Sequence, residues 1–377
     1  MCANHDVAQT SKKTVCPCGQ IHRGWYDSRV KTVRDLDSGG IPIYLEFEIR
    51  RVECHRCQAV KTEVLKWLDE CGRFTKRFEE RVGRMARQMP LTEVAELNQI
   101  SWDQAWRMEL EYMRELIKKH PSASKIRVIG VDEISVRRGH TYRVVVADLD
   151  EQRPIWIGGT GRTKEDLDQF FIEIGVERSK GIELAVMDMW KAFKNSTNEH
   201  APKARIVFDK FHVLRHLGDA LDEIRRQEYK RVNDKERTYI KGQRYTLLSH
   251  KANLDTNGRR SLKLLLQANK RLHTAYLLKE SFGQLWDYSY PASARKFFEN
   301  WKTQLRWQKL EPFKKFSTMI ETHWDGIVSY CHPDNKVSLG FMEGLNNKIR
   351  VIQRRAYGIR SPEYLRLKVL TSFIKDT

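Results

Sequence analysis

Three acidic residues occupy positions from which a chain can present a carboxylate to a catalytic metal ion. Asp132 and Asp188 each follow an apolar run that is typical of a strand, whereas Glu343 opens a basic helical segment. Two carboxylates from neighbouring strands and one from a later helix can hold two divalent ions about 3.5–4 Å apart. Such a pair activates water or a hydroxyl group and stabilises the departing oxyanion of a phosphoryl transfer. The pattern therefore predicts a metal-dependent nuclease site.

Other acids compete for the same roles. Asp148 and Asp150 also follow a strand, but they lie in a polar segment that is typical of a solvated turn. Glu133 is adjacent to Asp132, yet the alternation of side chains along a strand directs it to the opposite face. Two further acids, upstream of the basic segment, are alternatives for the third position: Glu321 and Asp325.

The charge balance indicates which kind of phosphate is bound. The chain has 377 residues with 68 Lys and Arg against 49 Asp and Glu, a formal charge of +19 and a pI near 9.6. A field of this sign attracts polyanions, and nucleic acid is favoured over a membrane surface or a ribosomal role. With 40% hydrophobic residues the chain can build cores, so we expect a globular protein of two to three domains.

The sequence also predicts where the protein works. It contains no stretch of roughly 20 apolar residues such as a membrane helix requires, and residues 1–13 lack the apolar centre of a signal peptide. We therefore expect a cytoplasmic protein with no membrane partner.

Residues 1–70 are predicted to form a zinc ribbon. Two pairs of cysteines are separated by a spacer in which residues 43–50 alternate between apolar and polar side chains. In a reducing compartment such thiols bind zinc, which would replace the core that so small a module lacks. Only one residue separates Cys16 from Cys18, so His22 is an alternative ligand to Cys16, and four unrelated buried thiols are the alternative to a ribbon. The expected zinc ligands are Cys16, Cys18, Cys54 and Cys57.

Residues 71–121 are predicted to be helical throughout. A second helix begins near Thr92 and a third at Ser101, where Gln104 occupies the capping-box position. This layout is typical of a helix-turn-helix DNA reader whose last helix runs to about Lys118. A three-helix linker would give the same pattern, but the neighbouring ribbon and nuclease-like segment favour DNA recognition. The first helix is indicated by apolar residues at helical spacing: Phe74, Phe78, Val82 and Met85.

Residues 122–377 are predicted to form a ribonuclease H-like α/β catalytic domain, so that the whole chain is a multidomain α+β protein. In open α/β sheets ligands bind at the carboxyl ends of strands, where Asp132 and Asp188 are expected. A helical insertion at about 215–330, with tryptophans expected mainly in its core, separates them from Glu343, so the site requires that the chain return to the sheet. The predicted elements are strands at 126–131, 142–147 and 154–157, a helix at 163–174, and strands at 182–187 and 205–208.

The segment after Glu343 is strongly basic. Between positions 348 and 368 there are seven basic residues and one acid. If Glu343 faces a metal ion, basic side chains on the following turns can hold the phosphates that flank the scissile bond. Alternatively, Glu343 is only a favourable charge near a helix N-terminus, worth about 0.3–1 kcal/mol. The expected DNA-binding residues are Lys348, Arg350, Arg354 and Arg355.

Four short segments carry a family resemblance, and they lie at residues 130–133, 187–188, 208–213 and, most distinctively, 343–358. Together with the ribbon and the helices they resemble bacterial insertion-sequence transposases of the ISL3 family over nearly the whole chain. The resemblance implies a DDE transposase in which Asp132, Asp188 and Glu343 bind two Mg²⁺ ions, or Mn²⁺ in their place. Asp209 and His212 match a family motif, and we expect them to support the site.

The resemblance also implies an activity and partners. The enzyme would bind the terminal inverted repeats of an insertion sequence, nick each end with activated water, and transfer the freed 3′-hydroxyl to target DNA. No covalent protein–DNA intermediate is required, and joining two ends implies a homodimer or larger assembly on double-stranded DNA. Two rivals stay open: a catalytically silent DNA-binding regulator descended from a transposase, and a structure-selective nuclease that cuts without joining.

Overall fold

The computed structural model describes residues 3–6, 13–69, 71–137, 141–338 and 340–375. It divides into two compact units, Met1–Pro121 with Val351–Thr377 and Ser122–Arg350. The predicted domain limits of the ribbon, the helical segment and the catalytic domain stay predictions. In this division the described residues after Arg350 are grouped with the first unit.

Short strands make up the amino-terminal part of the first unit. In the main sheet β4 lies antiparallel to β5, β6 pairs with the other end of β5, and β1 runs parallel to β5; β2 and β3 form a separate pair. Phe47 and Ile49 of the central strand are buried and Glu48 is exposed, as the alternation predicts. The strands are β1 (Ala3–Asp6), β2 (Thr14–Val15), β3 (Ile21–His22), β4 (Asp27–Arg34), β5 (Ile43–Cys54) and β6 (Ala59–Thr62).

Three helices follow, and they are α1 (Lys76–Gln88), α2 (Leu91–Leu97) and α3 (Trp102–Lys119). Phe78 and Val82 are fully buried between them, together with Met108 of the third helix. The predicted capping box is confirmed, because the Ser101 hydroxyl accepts from the backbone N–H of Gln104 while the Gln104 side chain accepts from the backbone N–H of Ser101. The arrangement is the expected helix-turn-helix.

Polar side chains tie the strands to these helices. Arg34 of β4 is buried and donates to the carbonyl oxygen of Asn98, in the turn between α2 and α3. Asp35 accepts from the hydroxyl of Thr75 at 2.7 Å and pairs with Arg77. Because buried charged groups are costly unless they are paired, these contacts fix the strands against the helices within the first unit.

A mixed five-stranded sheet forms the centre of the second unit, in the order β11-β10-β7-β8-β9. β7, β8 and β9 are antiparallel neighbours, whereas β10 runs parallel to both β7 and β11. The strands are β7 (Val128–Arg137), β8 (Thr141–Asp148), β9 (Arg153–Gly158), β10 (Leu184–Met187) and β11 (Arg205–Phe208), and the helices between them are α4 (Lys164–Ile174), α5 (Val176–Lys180) and α6 (Lys191–His200).

The sequence predicted that the strand ends before Asp132, and this prediction is wrong. β7 continues to Arg137, so Asp132 lies inside the strand, opposite Val145 of β8. The polar residues beyond Asp132 stay extended because β8 supplies their hydrogen-bond partners, which hydrophobic patterning along one strand does not reveal.

The remainder of the second unit is helical where it is described after β11. Of the tryptophans expected in its core, Trp286 and Trp301 are buried and Trp324 packs against them, whereas Trp307 is 84% exposed. Among the residues that the structure describes, no helix is long and apolar enough to cross a membrane. The helices are α7 (Lys210–Arg231), α8 (Asp234–Ile240), α9 (Arg244–Leu248), α10 (Thr256–Ala268), α11 (Lys270–Phe282), α12 (Pro291–Gln304), α13 (Glu311–Thr322), α14 (Trp324–Val328) and α15 (Gly340–Arg355).

The last helix, α16 (Pro362–Thr371), packs against α3 and explains why the carboxyl-terminal residues belong to the first unit. Glu109 of α3 has no solvent exposure and forms an ion pair with Lys368, while the hydroxyl of Tyr364 donates to the same carboxylate. Burial raises the pKa of Glu109, although the charge of Lys368 opposes this effect. The pair holds α16 in place.

Replacing Lys368 with Met should lower the free energy of unfolding by about 3–5 kcal/mol, because Glu109 then loses its partner inside the protein. Urea denaturation of the full chain measures this loss. Replacing Glu109, Lys368 and Tyr364 together with Leu, Met and Phe removes every group of the pair and should recover most of the stability. The matched control is Arg114→Ala, which breaks an exposed pair with Glu363 and should cost no more than about 1 kcal/mol. Equal losses in Lys368→Met and Arg114→Ala would contradict the assignment.

Candidate active site and metal centre

Three aspartates lie side by side at one edge of the central sheet. The pairing of β10 with β7 and with β11 fixes how far along each strand a given residue lies. Two of the aspartates directly follow β10 and β11, just beyond the last paired residues. Continuing both ladders puts Asp132, Asp188 and Asp209 level with one another, on adjacent parallel strands. The last paired residues are Val186 with Gly130 and Met187 with Phe208.

Asp132 is held by hydrogen bonds on both carboxylate oxygens. The Asn346 side-chain Nδ2 donates to its Oδ2 at 2.6 Å, and the backbone N–H of Glu133 donates to its Oδ1 at 2.8 Å. Burial raises the pKa of Asp132 in spite of these donors, and the nearby charge of Asp188 adds to the effect. The site therefore concentrates negative charge in a half-buried position.

His212 supports Asp188 from the first turn of α7. Its Nδ1 lies 3.3 Å from Oδ2 of Asp188, and this contact raises the pKa of His212 to about 9 although burial opposes it. For Asp188 burial is the largest single effect and raises the pKa, but the hydrogen bond and charge of His212, together with the backbone N–H of Met189, lower the pKa overall. Asp209 caps α7 by accepting from the backbone N–H of Phe211 at 2.8 Å, and burial raises its pKa. The structure thus brings Asp209 and His212 beside Asp188.

Helix α15 returns to the sheet, and Gly130 of β7 makes room for it. A Cβ atom on Gly130 would lie 2.6 Å from Sδ of Met342, so the buried Met342 side chain of α15 would have to move to admit a side chain there. Glu343 is exposed in the first turn of α15, one helical turn before Asn346. Among the described residues, Glu343 does not join Asp132 and Asp188 within the 4.8 Å that would define a shared metal set. Helix α15 therefore packs on the sheet, and the Glu343 carboxylate lies on the solvent-exposed side of the helix.

The competing acids serve other purposes. Asp148 is level with Ile129, about 10 Å along β7 from Asp132, and it closes a turn by accepting from the backbone N–H of Asp150. Glu133 pairs with Arg162 on the other side of the strand from the α15 contact, at 3.5 Å. Of the alternatives to Glu343, Glu321 pairs with Lys302 at 2.5 Å and Asp325 is exposed on α14.

The basic residues expected to bind DNA divide into two groups. Lys348, Arg350 and Arg354 are exposed on α15, and Arg350 also donates to the side chain of Asn347. Arg355 is half-buried and donates to the carbonyl oxygen of Arg87 at 3.0 Å within the first unit, so it also has a structural role.

In the first unit the four predicted cysteine ligands converge. Their Sγ atoms all lie within 4.8 Å of one another, and the two shortest separations are 3.8 Å for Cys16–Cys57 and 3.7 Å for Cys18–Cys54. These distances exceed the ~2.05 Å of a disulfide. They match the ~3.8 Å edge of a tetrahedron with Zn–S bonds of about 2.3 Å. His22 is not in this set of the described residues, so the geometry favours Cys16 over the alternative.

Backbone donors prepare two of these thiols for metal binding. The backbone N–H of Gln20 is the main cause that lowers the pKa of Cys18 to about 7, and the N–H of Cys57 lowers that of Cys54. A metal ligand must be the thiolate, so a lowered pKa favours the binding form.

Sequence reasoning gave Asn346 no role of its own. The available signal was its position on α15, because it lies among residues that are buried at helical spacing, Met342, Leu345 and Ile349. A polar residue in such a stripe needs a partner in the interior, and here the partner is Asp132.

Comparisons with known proteins agree over most of the chain. A family model described as "Transposase" matches residues 129–369, and one described as "Helix-turn-helix domain of transposase family ISL3" matches residues 63–113. The transposase for insertion sequence element IS1001 of Bordetella parapertussis is 31% identical over 369 residues, 97% of this chain and 90% of that protein. The transposase for insertion sequence element IS1557 of Mycobacterium tuberculosis is 28% identical over 375 residues, 92% of this chain and 83% of that protein.

A solved structure, the Drosophila P element transposase strand transfer complex, aligns with a TM-score of 0.42 and 9% identity. The alignment covers 80% of this chain and 93% of that one.

Gly130→Ala should lower the free energy of unfolding by about 1–3 kcal/mol, because the added methyl group displaces the buried Met342 side chain that packs α15 on β7. The midpoint of urea denaturation of the full chain measures the change. The matched control is Gly344→Ala on the exposed side of α15, where nothing lies within 4 Å of the new Cβ. That substitution should be neutral or stabilise by up to about 1 kcal/mol, since Ala is the better helix former. If Gly130→Ala were equally well tolerated, the close packing of α15 on β7 would be wrong.

Proposed function

This chain belongs to the ISL3 family of insertion-sequence transposases, and we propose that Asp132, Asp188 and Glu343 are the three acids of its catalytic centre. The proposed reaction is cleavage of DNA at the terminal inverted repeats of the element, followed by transfer of the freed 3′-hydroxyl to target DNA.

One observation carries this proposal: the hydrogen bond from Asn346 to Asp132, which joins residues 214 positions apart. It supports a site assembled from the sheet and α15, because Asn346 and Glu343 are three residues apart on the same helix. Residues at this spacing are neighbours on a helix surface. The hydrogen bond to Asp132 therefore brings the helical turn that carries Glu343 next to the strand of Asp132.

The strand order supports a ribonuclease H-like catalytic domain. Three antiparallel neighbours are followed by two strands parallel to the first, with helices between them, as the predicted order requires. We assign the helical segment at about 215–330 as the insertion that separates Asp188 from Glu343.

The residues at this edge fit a divalent cation. Burial raises the pKa of Asp132, Glu133 and Asp209, so negative charge is present there without full compensation from the protein. Carboxylate oxygens are the preferred ligands of Mg²⁺ and Mn²⁺. We infer that Asp132, Asp188 and Glu343 would hold two such ions. When bound, the ions would activate the attacking water or 3′-hydroxyl and stabilise the leaving oxyanion.

Side-chain and backbone groups of the protein orient and stabilise the carboxylates of this site in three ways. Asn346 and the backbone N–H of Glu133 orient the carboxylate of Asp132, and the backbone N–H of Met189 donates to Asp188 at 2.6 Å. His212 provides positive charge beside Asp188, which lowers the cost of assembling several carboxylates. No side chain acts as a nucleophile, so no covalent protein–DNA intermediate forms.

Double-stranded DNA is the proposed partner of both units. Lys348, Arg350 and Arg354 would hold phosphates near the scissile bond in any sequence. The exposed start of α3, with Trp102 at its first position, would read base edges in the element ends, since recognition helices use their amino-terminal residues in this way. Joining two ends requires at least two active sites, so we propose a homodimer or larger assembly on DNA.

Structural zinc is proposed for the cysteine cluster. The small core beneath β4 and β5 contains four buried apolar residues, namely Val33, Phe47, Ile49 and Leu68. A core of this size does not stabilise a module by itself, and a zinc ion bound by four thiolates would supply the missing free energy.

Catalysis is tested by incubating the purified chain with labelled terminal-repeat DNA and Mg²⁺. Wild type should cleave and join, whereas Asp132→Asn and Glu343→Gln should bind with unchanged affinity but lose about 10³-fold or more in rate. The control is Asp150→Asn, an exposed acid paired with Arg127 away from the aspartates, which should keep full activity.

Each other result has a defined meaning. Full activity in Glu343→Gln would show that its charge only favours the helix N-terminus. Binding without cleavage by wild type would point to a silent regulator, and cleavage without joined product to a nuclease.

Zinc is tested by elemental analysis of the purified full-length chain. Wild type should contain about one zinc per chain, and Cys54→Ser should lose it together with a lower thermal midpoint. Cys71→Ser is the control, because Cys71 is an exposed thiol outside the cluster. Retention of zinc by Cys54→Ser would contradict the proposed ligand set.

A further inference from the structure

An exposed tryptophan lies close to Asp188 in the chain. Trp190 follows Asp188 by two residues, at the start of α6, and 41% of it is exposed. Its Nε1 donates to the carbonyl oxygen of Arg162 at 2.7 Å, which fixes the orientation of the indole ring. Since this N–H is the only polar group of the side chain, any partner of Trp190 must use the face of the ring.

Arg162 is stacked between two aromatic rings at the same edge. Its Cζ atom lies 4.6 Å from the ring centroid of Trp190 and 5.2 Å from that of Tyr142. Its Nη1 lies 3.5 Å from Oε1 of Glu133, the residue next to Asp132. The stack holds a planar guanidinium group beside Glu133, on the face of β7 opposite to the Asn346 contact, and the fork geometry of this group matches a phosphate.

The loop that carries Arg162 is held rigidly. Asp166 is buried, and its carboxylate accepts from the backbone N–H of Thr160 at 2.7 Å and from that of Thr163 at 2.9 Å. Gly159 begins the loop with φ of 73°, and a Cβ atom there would lie 2.8 Å from Cβ of Asp166. A buried carboxylate that fixes the backbone of a surface loop indicates that the position of the loop matters, because preorganised loops carry binding residues.

We propose that Trp190 and Arg162 form a nucleotide-binding subsite next to the carboxylates. The base of the nucleotide adjacent to the scissile phosphate stacks on the exposed part of the Trp190 ring, and Arg162 contacts the neighbouring phosphate. Stacking on an indole accepts any base, so the subsite positions the DNA strand without reading sequence. The subsite rests on the proposed function of the aspartates, since it names the part of the substrate that lies beside them.

The first test compares rates of single-turnover cleavage. Trp190→Ala should reduce the rate about 10- to 100-fold, the range expected when one stacked base is lost. Trp190→Phe keeps an aromatic face and should stay within about 5-fold of wild type. Arg162→Lys keeps the charge but loses the planar stack, and should cost about 10-fold. Trp307→Ala, at an exposed tryptophan in the helical segment, is the control and should match wild type.

The second test removes the base rather than the ring. An abasic nucleotide beside the cleavage position should slow wild type as much as Trp190→Ala does, and it should have little further effect on that variant. Independent, multiplicative losses would overturn the subsite, because they would show that the ring and the base do not interact.

The third test separates this inference from the proposed catalysis. In an Asp132→Asn background, which binds but does not cleave, 2-aminopurine is placed at the same nucleotide of terminal-repeat DNA. Its fluorescence should be quenched on binding and restored by Trp190→Ala. If Trp190→Ala quenches the fluorescence as strongly as the protein that keeps Trp190, the subsite is overturned even if wild type cleaves. Failure of wild type to cleave, with quenching intact, would reject only the proposed catalysis.

Discussion

The hydrogen bond between Asn346 and Asp132 is the contact on which the candidate active site depends. It fastens a helix near the end of the chain to the central strand of a sheet that forms much earlier in the sequence. Gly130 makes the contact sterically feasible, since any side chain at that position would occupy the space of Met342. A donor from Asn346 to a carboxylate is a charge-assisted bond, stronger than a neutral one and well suited to fixing two elements together. Without it Glu343 would have no defined relation to the aspartates.

Electrostatic strain at the edge of the sheet follows from that arrangement. Three aspartates on adjacent strands repel one another, and burial adds to the cost of their charges. His212 relieves part of this cost at Asp188, which is why the pKa of Asp188 is lowered while those of Asp132 and Asp209 are raised. A protein that served only stability would replace such a cluster with apolar residues. The cluster fits the proposed metal site, in which a divalent cation would supply the counter-charge.

Buried acids elsewhere in the chain show that burial alone does not identify chemistry. Asp166 holds a loop through backbone N–H donors, Asp148 closes a turn in the same way, and Glu109 anchors α16 through Lys368. Each of these carboxylates has its hydrogen-bonding needs met locally by the protein. The aspartates at the sheet edge also accept hydrogen bonds, but they differ in lying level with one another on three adjacent strands. The distinction lies in the arrangement of the carboxylates, not in how deeply each is placed.

Local features of the sequence determined much of the structure. The strands and helices of the second unit, the capping box at Ser101 and the two cysteine pairs depend on periodicity, on caps and on spacing, which act between residues close in the chain. The apolar runs before Asp132 and Asp188 identified β7 and β10, although the predicted end of β7 was too early. The basic helix and the family block at Asn346 and Asn347 then led to the prediction that Glu343 joins them.

Only the tertiary structure decided which distant residues meet. The continuation of β7 beyond Asp132 depends on pairing with β8, and the placement of Asp148 away from the site depends on the antiparallel direction of that strand. The packing of α16 on α3 and the bond from Asn346 are contacts across hundreds of positions, which periodicity along one segment does not encode. The sequence by itself determined which residues could do chemistry here, and the fold decided which of them stand together, because proximity in space is set by packing between elements.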